Sequence, residues 1–425
     1  MAVWHCEGSA TTEYSTADIE NVLRSQVLPR LAGARRVLLV PPDLTRAKSG
    51  AGEITALLCK LLGPDVFIRI LPALGTHFPM TDEELRRMFG PDIPLDWFLV
   101  HDWRNNLRHL GTVGEDRLVQ LSEGRMNMSV KVEVDAAVFD DYDTILSIGQ
   151  IVPHEVVGMA NYTKNICVGL GGSDIINKSH YLGAVYGMER IMGRSDTPVR
   201  QLFNGIARDY FQELPITYIM TVMQELERGA RVAMRGLFIG DSDDVFEAGA
   251  ALSREVNIID LPERVDKVVT WLDPEEFKST WLGNKSVYRS RMAIADGGEL
   301  VVLAPGLKTF GEDAAVDRLV RKYGYRGTPA VLDAVEKDPE MRENLSAAAH
   351  LIHGSSEGRF KITYCPGPNI TPEEVCSVGF DVGDLAAMLK RYNPEELNDG
   401  FNELPDGERV FFIRNPALGL WMAPA

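Results

Sequence analysis

What most constrains the fold of this chain is a unit that recurs along it. A short apolar, β-branched run enters a loop broken by proline or glycine, and an amphipathic stretch with helix-capping residues follows. "RRVLLVPPDLTR" reads as a buried strand at Val37–Val40 emptying into a proline-broken loop, with "GEITALLCKLLG" as the next helix. "DVFIRILPALGTHFPMTDEELRRMFG" repeats the scheme: a strand at Val66–Leu71, a loop through His77, and a helix opened by a Thr81–Glu84 capping box. Strands alternating with helices imply βαβ units and a mainly parallel sheet. A lead-in helix is expected after Ser15 or Thr16, with Ile19, Val22 and Leu23 on one face. "WFLVHD" and "SVKVEVD" are expected as strands, and "NICVGLGGSD" as a short strand ending in glycines. "SHYLGAVYGMERIMG" is expected as a helix capped by Ser179, with His180 in its first turn.

At 425 residues the chain is too long for one ordinary core. The composition shifts near "IIDLPERVD", and a second series of strands and helices follows, including "DKVVTWLDPEEF", "ADGGELVVLAPG" and "GERVFFIRNP". We therefore expect an α/β fold of two domains with mainly parallel sheets. Residues 1–265 would form the larger N-terminal domain and 266–425 the smaller C-terminal one, with the active-site cleft between them.

A formal charge of −17 argues against a nucleic-acid partner, because phosphate binding is driven largely by Lys and Arg. No apolar run is long enough to span a bilayer, so no membrane partner is expected. "MAVWHCEGSATTEYSTADIE" has no basic stretch followed by an apolar one, and a cytoplasmic location is the expectation. A homo-oligomer stays open, since the sequence does not fix the oligomeric state. Five scattered cysteines make no CxxC pair, so cysteine alone is not expected to hold a metal. HExxH, GxSxG and Walker motifs are missing, as is a clean GxGxxG after a strand.

Asp43, Thr45, Arg46, His77 and His154 all fall just past the C-terminal ends of expected strands, the edge where open parallel sheets bind ligands. In "PPDLTR", Arg46 offers a fork for a carboxylate or phosphate, or pairs locally with Asp43. His77 in "LGTH" and His154 after Pro153 are each either proton carriers or structural imidazoles. Lys164 in "NYTKN" is either a snorkelling amine or a positioned nucleophile. "GLGGSD" offers a phosphate cradle or a plain tight turn. His180 is a metal ligand through a neutral nitrogen, or a capping or surface histidine. His5, His101, His109, His350 and His353 are read as structural.

Taken together, "PDLTR" (Asp43, Arg46), "GTH" (His77) and the ordered set His154, Lys164 and His180 resemble the nickel-dependent lactate racemase family. The resemblance covers most of the chain and is most specific between residues 37 and 194. It implies a racemase or epimerase of 2-hydroxy acids, with a catalytic and cofactor-tethering N-terminal domain and a C-terminal domain that closes the cleft. By resemblance, Lys164 would carry a nickel-pincer nucleotide, a thiolated nicotinate-derived mononucleotide, and His180 would complete the nickel site. Thr45 and Thr163 would border the cofactor. His77 and His154 would alternate as acid and base while the α-hydrogen moves as hydride. Arg46 would hold the substrate carboxylate or orient the alkoxide, and Asp43 would position a histidine or the nucleotide. The resemblance also implies cofactor-synthesis enzymes as partners.

The chain departs from the family pattern at three places. "MANYT" replaces a glycine- and serine-rich "SGG" before the lysine. The position of a second-domain pocket lysine falls at Met292, with Arg291 beside it and Lys285 upstream. "AAHLIHGSS" offers no obvious pocket aromatic. A longer or bulkier hydroxy acid or a sugar acid is therefore expected in place of lactate. Two other classes stay open: a zinc-dependent lyase or hydrolase using His77, His154 and His180 directly, and a non-catalytic nucleotide-binding homologue.

Overall fold

The computed structural model describes residues 2–226, 231–417 and 419–424. It is a mixed α/β structure that divides into two compact units. One holds residues 1–182 and 190–257, the other 183–189 and 258–425.

The first unit is built on a six-stranded sheet. Its spatial order is Val3–Gly8, Arg231–Gly240, Ile216–Leu226, Thr144–Gln150, Arg36–Val40, Phe67–Ile70. The pairings from Ile216–Leu226 to Phe67–Ile70 are parallel, and the two at the other edge are antiparallel. The strand Arg36–Val40 is buried over its last four residues, as a strand covered on both faces should be. Its apolar side chains join Ile54 and Leu58 of the following helix Ala51–Leu62 in one core cluster. Ser15 caps the helix Thr16–Val22 and Thr81 caps Asp82–Phe89, both through reciprocal capping boxes with an acidic residue three positions on.

The second unit carries another six-stranded sheet, in the order Asp381–Val382, Lys361–Pro366, Ile294–Ala304, Val265–Trp271, Arg409–Ile413, Gly400–Glu403. All of its pairings are parallel except the last. Glu189, on the short segment that joins this unit, takes ion pairs from Arg291 and Arg359 at 3.0 and 2.6 Å. Arg291 also donates to the Ser355 carbonyl, Met292 is buried, and the Lys285 ammonium lies 5.7 Å from the Phe277 ring centre.

Two expectations give way here, and a third holds with an unexpected partner. "WFLVHD" forms only a 3-10 turn at Leu95–Trp97 and an isolated bridge from Phe98 to Ile70, because the sheet ends at Phe67–Ile70. "SVKVEVD" is a strand, Val130–Asp135, but it pairs antiparallel with Leu107–Val113 in a separate ribbon. "NICV" belongs to a short helix, Thr163–Cys167, and not to a strand. A run that short cannot announce its period, and tertiary bonds decide it: Asn165 donates to the Val40 carbonyl and the Ser147 hydroxyl, seating the helix on the sheet edge.

Candidate active site

The three parallel strands Thr144–Gln150, Arg36–Val40 and Phe67–Ile70 are neighbours, and past their C-terminal ends come His154, then Asp43 with Arg46, then His77. A single sheet edge therefore carries all of these groups. The helix with Lys164 lies over the junction of the first two strands through Asn165. The His77 loop is tied to the chain just beyond Lys164 by the Gly75 N–H, which donates to the Gly169 carbonyl at 2.8 Å.

Asp43 caps a 3-10 turn, Leu44–Ser49, and accepts from both the amide and the hydroxyl of Thr45. Its other oxygen lies 2.6 Å from His77 Nδ1. Burial works to raise the Asp43 carboxyl, but the bonds from His77 and Thr45 outweigh it, and its pKa falls below the ordinary carboxylate value. The ionised carboxylate accepts from His77 Nδ1–H, which leaves the Nε2 lone pair of an exposed imidazole facing out.

His154 is arranged the other way. It is buried, and the Val156 N–H donates to its Nδ1 at 3.1 Å, so its neutral ring carries the proton on Nε2. Burial, with Lys164, Arg46 and His180 nearby, holds its pKa well below the ordinary histidine value against the pull of Glu155.

His180 does not open its helix. The helix runs from Ser173 to Tyr186, so His180 lies near its middle, and Ser179 bonds the Ile176 carbonyl instead of capping. The start moved because the chain leaves its glycine turn directly at Ser173, with Asp174 in the first turn. His180 Nδ1 donates to the Ile176 carbonyl at 2.6 Å, leaving Nε2 with its lone pair available. Burial keeps this imidazole below its ordinary pKa, although the Ile176 bond opposes it.

Burial, and then the Arg46 guanidinium, press the Lys164 amine down to a pKa of about 8 in spite of Glu155. An amine in that range is a usable nucleophile near neutral pH. Thr163 is buried, its hydroxyl donating to Asn204 Oδ1 and accepting from Arg200 Nη1, both at 2.8 Å.

In "GLGGSD" the N–H groups of Gly169, Gly171 and Gly172 donate to the carbonyls of Lys164, Val168 and Glu133, so this segment is a tight turn and not a phosphate cradle. A buried pair secures it: His101 Nδ1 meets Asp135 Oδ2 at 2.7 Å and His101 Nε2 meets the Gly171 carbonyl at 3.3 Å. His101→Ala leaves the Asp135 carboxylate buried with a partner missing. We expect a loss of roughly 3 kcal/mol in unfolding free energy, read from the denaturant midpoint.

Three residues escaped the sequence reading. Glu155 bears on His154, Lys164 and His180 alike as the negative charge among them. Arg200, 2% exposed, donates to Met159 O, Asn161 O and Thr163 Oγ1, and its guanidinium lies over the Phe246 ring. An arginine in the first turn of the helix Pro198–Tyr210, against the helix dipole, was the available signal. Asn161 gave none.

Residues 7–191 match the family model for the lactate racemase N-terminal domain. The chain is 25% identical over 248 residues to the lactate racemase of Lactiplantibacillus plantarum, a match covering 57% of this chain and 53% of that protein. It thus spans about half the length of this relative. In fold it is similar to a protein from Thermotoga maritima, with a TM-score of 0.79 at 22% identity over 97% of this chain and 100% of that one. The lactate racemase apoprotein from Thermoanaerobacterium thermosaccharolyticum gives a TM-score of 0.72 at 17% identity, over 98% and 93%.

Proposed function

We propose, from the match of residues 7–191 to the lactate racemase N-terminal domain and the likeness to a lactate racemase, that the chain is a racemase or epimerase of 2-hydroxy acids. The observation that carries the reading is the set of proton states at one sheet edge. His180 keeps an Nε2 lone pair, Lys164 holds an amine that deprotonates near pH 8, and His77 keeps an Nε2 lone pair backed by Asp43.

These residues fit a lysine-tethered nickel-pincer nucleotide. Lys164 would hold it covalently, and His180 Nε2 would be the protein's ligand to nickel, oriented by the Ile176 carbonyl. Held there, such a group would supply a hydride acceptor for the α-hydrogen of the substrate. Among the described residues no three His, Cys, Asp or Glu side chains gather as a metal site, which favours a cofactor-borne metal over direct zinc chemistry by the three histidines. The non-catalytic reading weakens on a different ground: a purely binding homologue has no use for the Asp43-backed base.

The remaining work falls to the chain. Arg46 pairs with the substrate carboxylate. His77 Nε2 takes the hydroxyl proton, and Asp43 stabilises the imidazolium that forms. His154 in its resting form donates from Nε2; to act as the second base it must first release the Val156 N–H. Cofactor-synthesis enzymes are the partners this reading requires.

His180→Ala removes the one protein ligand while sparing the tether. Protein loaded beside the cofactor-synthesis enzymes should keep its adduct mass yet lose most of its nickel on desalting, by elemental analysis, and lose turnover with it. Full nickel retention would remove His180 from the site.

A further inference from the structure

The main chain just ahead of Lys164 takes a course that side chains resist. Asn161 and Tyr162 both have positive φ, at 66° and 57°. Tyr162 combines this with a ψ of −135°, mirror-image extended backbone that is ordinarily left to glycine. Other residues keep such conformations only where their surroundings over-determine them.

Two anchors do so here. The Tyr162 ring stacks on Phe246, with centres 5.1 Å apart, and its hydroxyl donates to Asp243 Oδ1 at 2.9 Å. Arg200 holds the main chain itself. Its Nη2 donates to the carbonyls of Met159 and Asn161 at 2.7 and 3.1 Å, and its Nη1 donates to the Thr163 hydroxyl at 2.8 Å. One planar group thus brackets the strained pair and ends on the residue before Lys164. On the other side of the lysine, Asn165 is bonded to the Val40 carbonyl and the Ser147 hydroxyl. Lys164 therefore sits between two anchored neighbours.

Stability alone does not account for Arg200. Its guanidinium is buried, its hydrogen bonds go to uncharged oxygens, and among the described residues its Nε has no hydrogen bond. Burial presses its pKa down to about 10. A charge buried without a bonded counter-charge is unfavourable beside an apolar side chain of similar volume.

We propose that Arg200 is a positioning residue for Lys164, clamping the Asn161–Tyr162 turn so that the amine is held at one place on the sheet edge. The inference rests on the tether reading and adds to it the device that aims the tether.

The test uses Arg200→Lys, which keeps the charge without the fork, alone and combined with Asn161→Gly, which takes positive φ without penalty. Amide hydrogen exchange of the apo chain should rise over residues 159–167 in Arg200→Lys and fall back in the double variant. After loading beside the cofactor-synthesis enzymes, fewer chains of Arg200→Lys should carry the adduct by mass. Its kcat per loaded chain should fall by about 10- to 100-fold with KM little changed, the effect of a small misplacement of the tether. Asn161→Gly in the same chain should recover most of that loss. Arg200→Met, which fills the space without charge, should show the same fall as Arg200→Lys. A lower melting temperature with unchanged kcat per loaded chain would mark a purely structural arginine and overturn the proposal, as would unchanged exchange over 159–167. A loaded wild type beside an equally loaded and equally active Arg200→Lys sinks the proposal alone. A wild type left unmodified where a parallel lactate racemase is loaded sinks the tether reading, and the proposal with it.

Discussion

Lys164→Ala is expected to lower turnover by at least about 10³-fold under the proposed function, because a cofactor tethered there would no longer be held against the substrate. The same change should not harm the fold. The Lys164 amine is pressed down to a pKa of about 8 by burial and by Arg46, so its charged form is an unfavourable guest at this edge. Removing it should leave the melting temperature unchanged or slightly raised. Lys164→Arg should be as inactive as the alanine variant, since a guanidinium keeps the charge but is no nucleophile. A catalytic loss without a stability loss separates a tethering lysine from a structural one.

The second large effect concerns Asp43 and His77. His77→Asn should lower kcat by roughly 10²- to 10⁴-fold, the range of a lost general base. Asp43→Asn should come close to it, although the ring stays in place. An amide at that position can donate to His77 Nδ1, which moves the ring proton to Nε2 and abolishes the lone pair proposed to take the hydroxyl proton. The double variant should be little worse than His77→Asn alone, because the two residues act as one unit. Additive losses in kcat would mean that Asp43 serves the reaction separately, for instance by holding the cofactor.

Much of the fold could be read from the chain. The runs around Val37–Val40 and Val66–Leu71 were long enough, and flanked clearly enough by Pro and Gly, to be strands with ligand-bearing loops behind them. The Thr81–Glu84 capping box marked one helix start through local chemistry alone, whereas Ser15 and Thr16 both stood as caps for the lead-in helix until the structure chose Ser15. The stretch 159–175 was not legible in the same way. Its helix at Lys164 is fixed by Asn165 reaching two separate strands, and its left-handed turn by Arg200 from a helix some forty residues on. Both partnerships are tertiary, and neither leaves a periodic trace.

The candidate site divides along the same line. Asp43, Arg46, His77 and His154 stood out because loops after parallel strands converge on one edge. Glu155, Arg200 and Asn161 matter through what surrounds them, and residue type alone did not mark them. His180 was legible as a histidine with a role, but its tautomer follows from a helix that begins seven residues earlier, at Ser173.

The most direct test of the central claim is the intact mass and metal content of the protein made beside the cofactor-synthesis enzymes, with a lactate racemase loaded in parallel. The account predicts a nucleotide-sized adduct on the peptide that contains Lys164, with about one nickel per chain. An unmodified Lys164 in a preparation where the parallel racemase is loaded would contradict it, and zinc bound in place of nickel would return the three histidines to direct metal chemistry.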